Sequence, residues 1–93
     1  MKKAFGDRAP ALMRRLSVLR EARTLADVPR VPPERCHELT GRREGQLAVV
    51  IKDNWRLVFR PAHDPPPRKP DGGLDHSQVT EIELIEVVDY HGE

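Results

Sequence analysis

The sequence lacks most of what would place it quickly. One of its 93 residues is cysteine, Cys36, so no internal disulfide can form. That fits a reducing compartment, and a cytoplasmic protein is the expectation. No apolar run approaches the roughly 20 residues of a membrane helix, and the basic start MKKAFGDRAP carries no apolar stretch of the kind a secretory signal needs. No membrane is therefore expected among the partners. Aromatic residues make up only 4%: Phe5, Trp55, Phe59 and Tyr90. A chain of this length buries only about 60–65% of its unfolded surface, so one domain with a small core is expected over residues 1–93. Glycine-rich phosphate loops are missing, and DGG at 71–73 reads as a turn. His37, His63, His76 and His91 are scattered, and Cys36 adjoins His37 rather than being spaced from it around one ion. No metal and no cofactor is expected from that pattern. A lone cysteine in an apolar run is more often a small buried hydrophobe than a nucleophile.

Net charge is also nearly absent, at +1, but it is unevenly spread. Residues 1–36 hold nine Lys/Arg against four Asp/Glu, residues 37–60 five against three, and residues 61–93 two against eight. A basic first two-thirds suits a phosphate-facing surface, whereas the two halves could equally pair with each other across the fold. Charge alone does not choose between these.

What is present has clear periodicity. Leu12, Met13, Leu16 and Leu19 recur at helical spacing, with Arg14, Arg15, Arg20 and Glu21 on the other side. This predicts an amphipathic helix over about 8–23, with Asp7 as N-cap and Pro10 in the first turn. VPRVPPER (28–35) holds three prolines and reads as an extended crossing segment. QLAVVIKDNWRLVFR (46–60) reads as a hairpin about Asp53-Asn54, a good type I′ pair. Flush pairing sets Lys52 opposite Trp55, Ile51 opposite Arg56, Val50 opposite Leu57 and Val49 opposite Val58. One face then carries Ala48, Val50, Trp55, Leu57 and Phe59 and packs on the helix. The other carries Leu47, Val49, Ile51, Arg56, Val58 and Arg60. Residues 61–78, with five prolines, predict a long, mobile loop. VTEIELIEVVDYH (79–91) reads as a last strand, with Ile82, Leu84 and Val88 on one face and Ile85 and Val87 on the other. Two apolar faces suggest a central or covered strand. With regular pairing Asp89 and His91 share a face with Ile85 and Val87, and Tyr90 points the other way; a bulge would change this. The fold class expected is α+β, a helix on a small antiparallel sheet.

The residue types available suit RNA cleavage without a metal. That reaction needs a base for the ribose 2′-hydroxyl, positive charge at the phosphate, and an acid for the 5′-oxygen. Histidine titrates near neutrality, and the arginine fork binds oxygens in pairs. His37, Arg56, Arg60, Asp89, Tyr90 and His91 are of the right kinds. Taken singly, each has a stronger structural explanation: a strand-edge histidine on a backbone partner, Arg56 paired with Glu83 or Asp89, Tyr90 capping the core.

Motif order shifts that balance. RCHELTGRREGQLAVVIKDNWRLVFRP followed by IELIEVVDYHGE resembles the HigB branch of the RelE/ParE toxin superfamily, in the subgroup of plasmid-maintenance killer proteins. The matching residues are Arg35, His37, Leu39, Gly41, Arg43, Gly45, Trp55, Arg56, Leu57, Phe59, Asp89, Tyr90 and His91, and the resemblance covers about 5–92. It implies a RelE-like fold and a bacterial toxin that cuts mRNA in the ribosomal A site without a metal. It also implies a cognate helix-turn-helix antitoxin that neutralises the toxin; a sheet edge left exposed by an abridged N-terminal part would invite a homodimer, or strand addition by the antitoxin in a hetero-oligomer. His37, Arg56, Asp89, Tyr90 and His91 become the catalytic candidates by this resemblance: His91 in proton transfer, Arg56 on the scissile phosphate, Tyr90 stacking on a base or donating a hydrogen bond, Asp89 orienting a neighbour. Arg14, Arg15, Arg20, Arg23, Arg42, Arg43 and Arg60 are the expected contacts to RNA and ribosome. Two departures bear on activity. Thr40 stands where the family often has lysine, and relatives usually carry a further strand and helix ahead of the position of Phe5. Two other readings follow: a catalytically silent antitoxin-binding co-repressor, or a ParE-like gyrase poison, the latter disfavoured by His37 and His91.

Overall fold

A computed structural model describes residues 8–89, the side chain of Arg8 excepted. The fold is α+β. Helix α1 (Arg8–Glu21) is followed by strands β1 (His37–Glu38), β2 (Leu47–Lys52), β3 (Trp55–Pro61) and β4 (Ile82–Asp89), which form one antiparallel sheet in the order β1-β2-β3-β4. Short 3-10 turns occupy Leu25–Asp27, Gly41–Arg43 and His76–Gln78. The proposed N-cap Asp7 lies outside the described residues, as do Tyr90 and His91.

α1 packs on one face of the sheet, here the inner face. Its buried stripe runs through Ala11 and Arg15, flanked by Leu12, Leu16, Val18, Leu19 and Ala22, while Met13 is 60% exposed. Arg15 therefore stands on the packed side of the helix, opposite to its expected place. The cause lies in the sheet. β1 is only two residues long, and past its end the backbone of Val50 on β2 needs other partners. Its N–H donates to the Glu34 carbonyl at 2.8 Å, and its carbonyl accepts from Arg15 Nε at 2.6 Å.

The hairpin forms about Asp53-Asn54 with Lys52 opposite Trp55, as expected. Only Asp53 has positive φ (55°), so the turn is not type I′, which needs it at both central residues. A bulge at Ile51 then shifts every further pair by one: Val50 faces Arg56, Val49 faces Leu57, Ala48 faces Val58 and Leu47 faces Phe59. The flush register expected from the sequence is thereby corrected. It would have left Leu47, Val49 and Ile51 outside and buried the smaller Ala48 and Val50. The bulge turns the three larger side chains into the core beside Leu57 and Phe59. At about 0.8 kcal/mol per buried methylene the exchange favours the bulged register by up to roughly 5 kcal/mol.

A second bulge, at Ile85, puts Glu86 opposite Val58 and Leu84 opposite Phe59. It brings Ile82 and Val87 to the same inner face, where both pack on the core, instead of on opposite faces. β4 is an edge strand among the described residues rather than a central one. The long loop is also fastened. His63 Nε2 accepts from the Thr80 and Glu81 amides at 3.1 and 3.4 Å, Arg68 and Leu74 form a bridge, and Leu74 and Val79 are buried. No described helix is long and apolar enough to cross a membrane.

Candidate functional site

The sheet face away from α1, the outer face, gathers chemistry from three strands. Paired residues share a face. His37 pairs with Ala48, Ala48 with Val58, and Val58 with Glu86, so these form one row. Val50, Arg56 and Val88 form the next row, and Arg60 and Glu83 lie on the other side of the first. Strand spacing of about 4.8 Å and a rise of about 3.4 Å per residue put the His37 and Arg56 backbones roughly 12 Å apart. An imidazole and a guanidinium from those positions can converge on one nucleotide.

His37 is exposed, and its ring is held by Nδ1 at 2.8 Å from the Arg35 carbonyl. A carbonyl only accepts, so Nδ1 carries the proton. In the neutral ring Nε2 then holds the lone pair, the form a general base requires. Arg35 has φ 49°, and this left-handed residue aims its carbonyl back at the ring. Arg56 is half-buried. Its NH1 donates to the Asp53 and Trp55 carbonyls at 3.0 and 3.3 Å, so it folds back over the hairpin turn. Binding a phosphate on the outer face requires it to swing away from that turn.

The other arginines divide by location. Arg43, from the Gly41–Arg43 turn, holds Gln46 Oε1 with NH1 at 3.0 Å and Glu86 with NH2. Gln46 precedes β2 and Glu86 sits on β4, so the guanidinium crosses β3 and roofs Val58, which has no exposed surface. Arg60 meets Glu83 through Nε and NH2 at 2.7 and 2.6 Å. Arg42 is exposed on the same turn as Arg43. Arg14, Arg20 and Arg23 are exposed too, but on or just after α1, against the inner face. Arg15, expected at a ribosome contact, is 8% exposed and ties helix to sheet. Asp89 stands opposite Trp55, one residue beyond the partner of Arg56, so Asp89 and Arg56 start from opposite faces of the sheet. It shares a face with Val87, as expected, but not with Ile85, which the bulge displaces. Thr40 is exposed immediately before the Gly41–Arg43 turn and makes no capping bond with its side chain.

The loop and the 44–46 turn enclose a cleft of about 590 Å³, lined by Arg60, Glu83, Gln46, Glu44, His63 and Asp64 among others. A second cleft of about 340 Å³ continues from it toward Thr40 and Arg68. The first cleft adjoins Arg60 and Glu83 of the outer face, and the second opens toward Glu38, Leu47 and Leu74.

Sequence reasoning missed one cluster. His76 is 8% exposed, with Nε2 2.9 Å from Glu38 Oε2 and Nδ1 2.9 Å from Arg30 NH2. Nε2–H donates to the Glu38 carboxylate, while the same Arg30 nitrogen is 3.3 Å from Nε2 as well, so the guanidinium lies over the face of the ring. Held by Glu38 and covered by Arg30, this histidine pins the loop to β1 and the 28–35 segment. The hydrophobic spacing of the loop gave no signal for it, because the three residues come from distant segments. Cys36 is 2% exposed, and burial pushes its thiol up to about 11, an inert small hydrophobe as expected.

No family model matches the chain, and no curated protein matches it.

Proposed function

We propose that the chain is a RelE-like toxin of the HigB kind, a metal-independent, ribosome-dependent mRNA endonuclease that inhibits translation and is neutralised by a cognate antitoxin. The observation that carries this reading is His37. It is an exposed imidazole with Nδ1 engaged by the Arg35 carbonyl and Nε2 left to accept a proton, on the face that also bears Arg43, Arg56 and Arg60. In the proposed reaction Nε2 takes the 2′-hydroxyl proton, the 2′-oxygen attacks phosphorus, and the 5′-oxygen leaves with a proton to give a 2′,3′-cyclic phosphate. Arg56 supports the charge on the phosphate. His91 and Tyr90, which follow β4 directly, are assigned proton donation and base stacking by resemblance alone.

A second reading is favoured by a specific observation. Arg43 and Arg60 are each engaged by a glutamate, and position 40 is threonine rather than a cation. A silent antitoxin-binding co-repressor needs no open phosphate site. The test is mRNA cleavage in a purified translation system, mapped by primer extension, with and without ribosomes. Ribosome-dependent cuts that disappear in His37→Ala, Arg56→Ala and His91→Ala support the endonuclease. Intact mRNA beside translating ribosomes and folded protein leaves the co-repressor.

A further inference from the structure

Two basic side chains of the outer face are already bound to carboxylates, and both carboxylates belong to one strand. Glu83 and Glu86 flank the bulge at Ile85 on β4, opposite Arg60 and Val58. One oxygen of Glu83 takes both Nε and NH2 of Arg60, while Glu86 takes NH2 of Arg43. Neither pair is buried: the side chains of Arg43 and Glu86 keep 32% and 46% of their exposure, and those of Arg60 and Glu83 keep 56% and 55%. Exposed pairs of this kind contribute little, so a competing anion displaces them easily.

A phosphodiester makes the same demand on a guanidinium as a carboxylate does, with negative charge and paired oxygens presented to its fork. Each glutamate oxygen thus stands where a phosphate oxygen would. The two carboxylates lie at most about 10 Å apart along the strand, within reach of neighbouring phosphates on one extended strand. Arg60 and Glu83 also line the larger cleft, which leaves room beside them for a backbone to enter.

We propose that Arg43 and Arg60 form a two-phosphate site for single-stranded RNA, and that Glu86 and Glu83 occupy it as intramolecular phosphate mimics until RNA displaces them. The inference rests on the ribonuclease reading above and adds to it a way of keeping affinity for free RNA low. Carboxylates fixed to the fold compete at every encounter, so only RNA held in place by other contacts wins the arginines.

The experiment is fluorescence anisotropy with a short labelled oligouridylate, over a range of salt, on the full chain. Glu83→Gln/Glu86→Gln should bind about tenfold tighter than wild type, as expected for relieving two exposed pairs. Its log–log salt slope should be steeper by up to about 1.4, two single-strand phosphates' worth of released counterions. Adding Arg43→Ala and Arg60→Ala should abolish the gain. Glu21→Gln/Asp27→Asn, which changes net charge equally at exposed positions on and just after α1, away from both arginines, should bind like wild type. Equal affinity of wild type and the Glu83/Glu86 variant overturns the inference and leaves the ribonuclease reading standing. A gain that survives loss of the two arginines, or that the Glu21/Asp27 control reproduces, overturns it as a mere charge effect. Absence of binding in every variant, each folded by circular dichroism, overturns the inference alone, since the ribonuclease reading stands or falls on cleavage at the ribosome.

Discussion

His37 and His76 show how the same side chain is assigned to different work by its surroundings. Each has one ring nitrogen oriented by a neighbour. In His76 the ring is also covered by the Arg30 guanidinium and is buried between Glu38 and Arg30. In His37 the ring stands in solvent. The two should separate on mutation. His76→Ala leaves part of a buried polar contact unmatched and should cost about 1–3 kcal/mol in urea melts, with cleavage falling only as the protein unfolds. His37→Ala should change stability by less than about 0.5 kcal/mol and remove cleavage. Equal stability losses would place both in structural roles. Cys36 supplies a pH test of burial. Its thiol is protonated in both states below about pH 9, the ordinary value, and its stabilising contribution is fully present there. As pH rises from about 9 to about 11 the unfolded chain ionises while the folded thiol resists, so stability falls through that window. The loss is on the order of 2 kcal/mol. Cys36→Ala should lack this component, seen as a shallower alkaline decline in the melting midpoint than wild type.

At the level of elements, the bulge at Ile51 decides which half of the hairpin is core. Ile51→Ala should cost about 2–5 kcal/mol, and Val50→Ala, on the outer face, about 1 kcal/mol or less. Flush pairing predicts the reverse order, so two denaturant titrations distinguish the registers. Helix, hairpin and final strand were legible in the sequence because each depends on local pattern: helical spacing from Leu12 to Leu19, β-rich runs about Asp53-Asn54, an apolar run from Ile82. The bulges were not legible, because they arise from competition between two sides of a strand whose residues are nearly all apolar. Alternation carries little information when Leu47, Val49 and Ile51 rival Ala48 and Val50 for the same core. Arg15 was misplaced for a related reason. Its burial answers the short length of β1, a fact of pairing that no window around the helix contains. The outer-face grouping of His37 with Arg56 and Arg60 was only partly legible, since it needs both the order of strands and the corrected register. Arg56 and Arg60 were assigned to one face, and the place of β1 beside β2 then brought His37 onto it.

At the scale of the whole molecule, the arginines expected to meet RNA and ribosome, Arg15 apart, fall into two groups. Arg14, Arg20 and Arg23 are exposed on the helix side, whereas Arg42, Arg43, Arg56 and Arg60 belong to the outer face and its flanking turns. A single-stranded RNA lying along the outer face cannot also reach the helix on the far side of the sheet. A large partner that surrounds the domain can touch both. Ribosome binding should therefore depend on both groups, and binding of a short oligonucleotide on the outer group alone. Replacing Arg14, Arg20 and Arg23 with glutamine should leave oligouridylate affinity within about twofold of wild type. The same variant should weaken ribosome binding and reduce its log–log salt slope by about 2–3, because each lost phosphate contact removes roughly 0.7–0.9 of slope. Anisotropy measures the oligouridylate affinity, and sedimentation with ribosomes across a salt series measures ribosome binding. If the helix variant lost both affinities together, RNA would run over the inner side and the site around His37 would be the wrong face. If it lost neither, the basic helix would serve solubility or antitoxin pairing, and entry to the ribosome would have to be driven from the outer face alone.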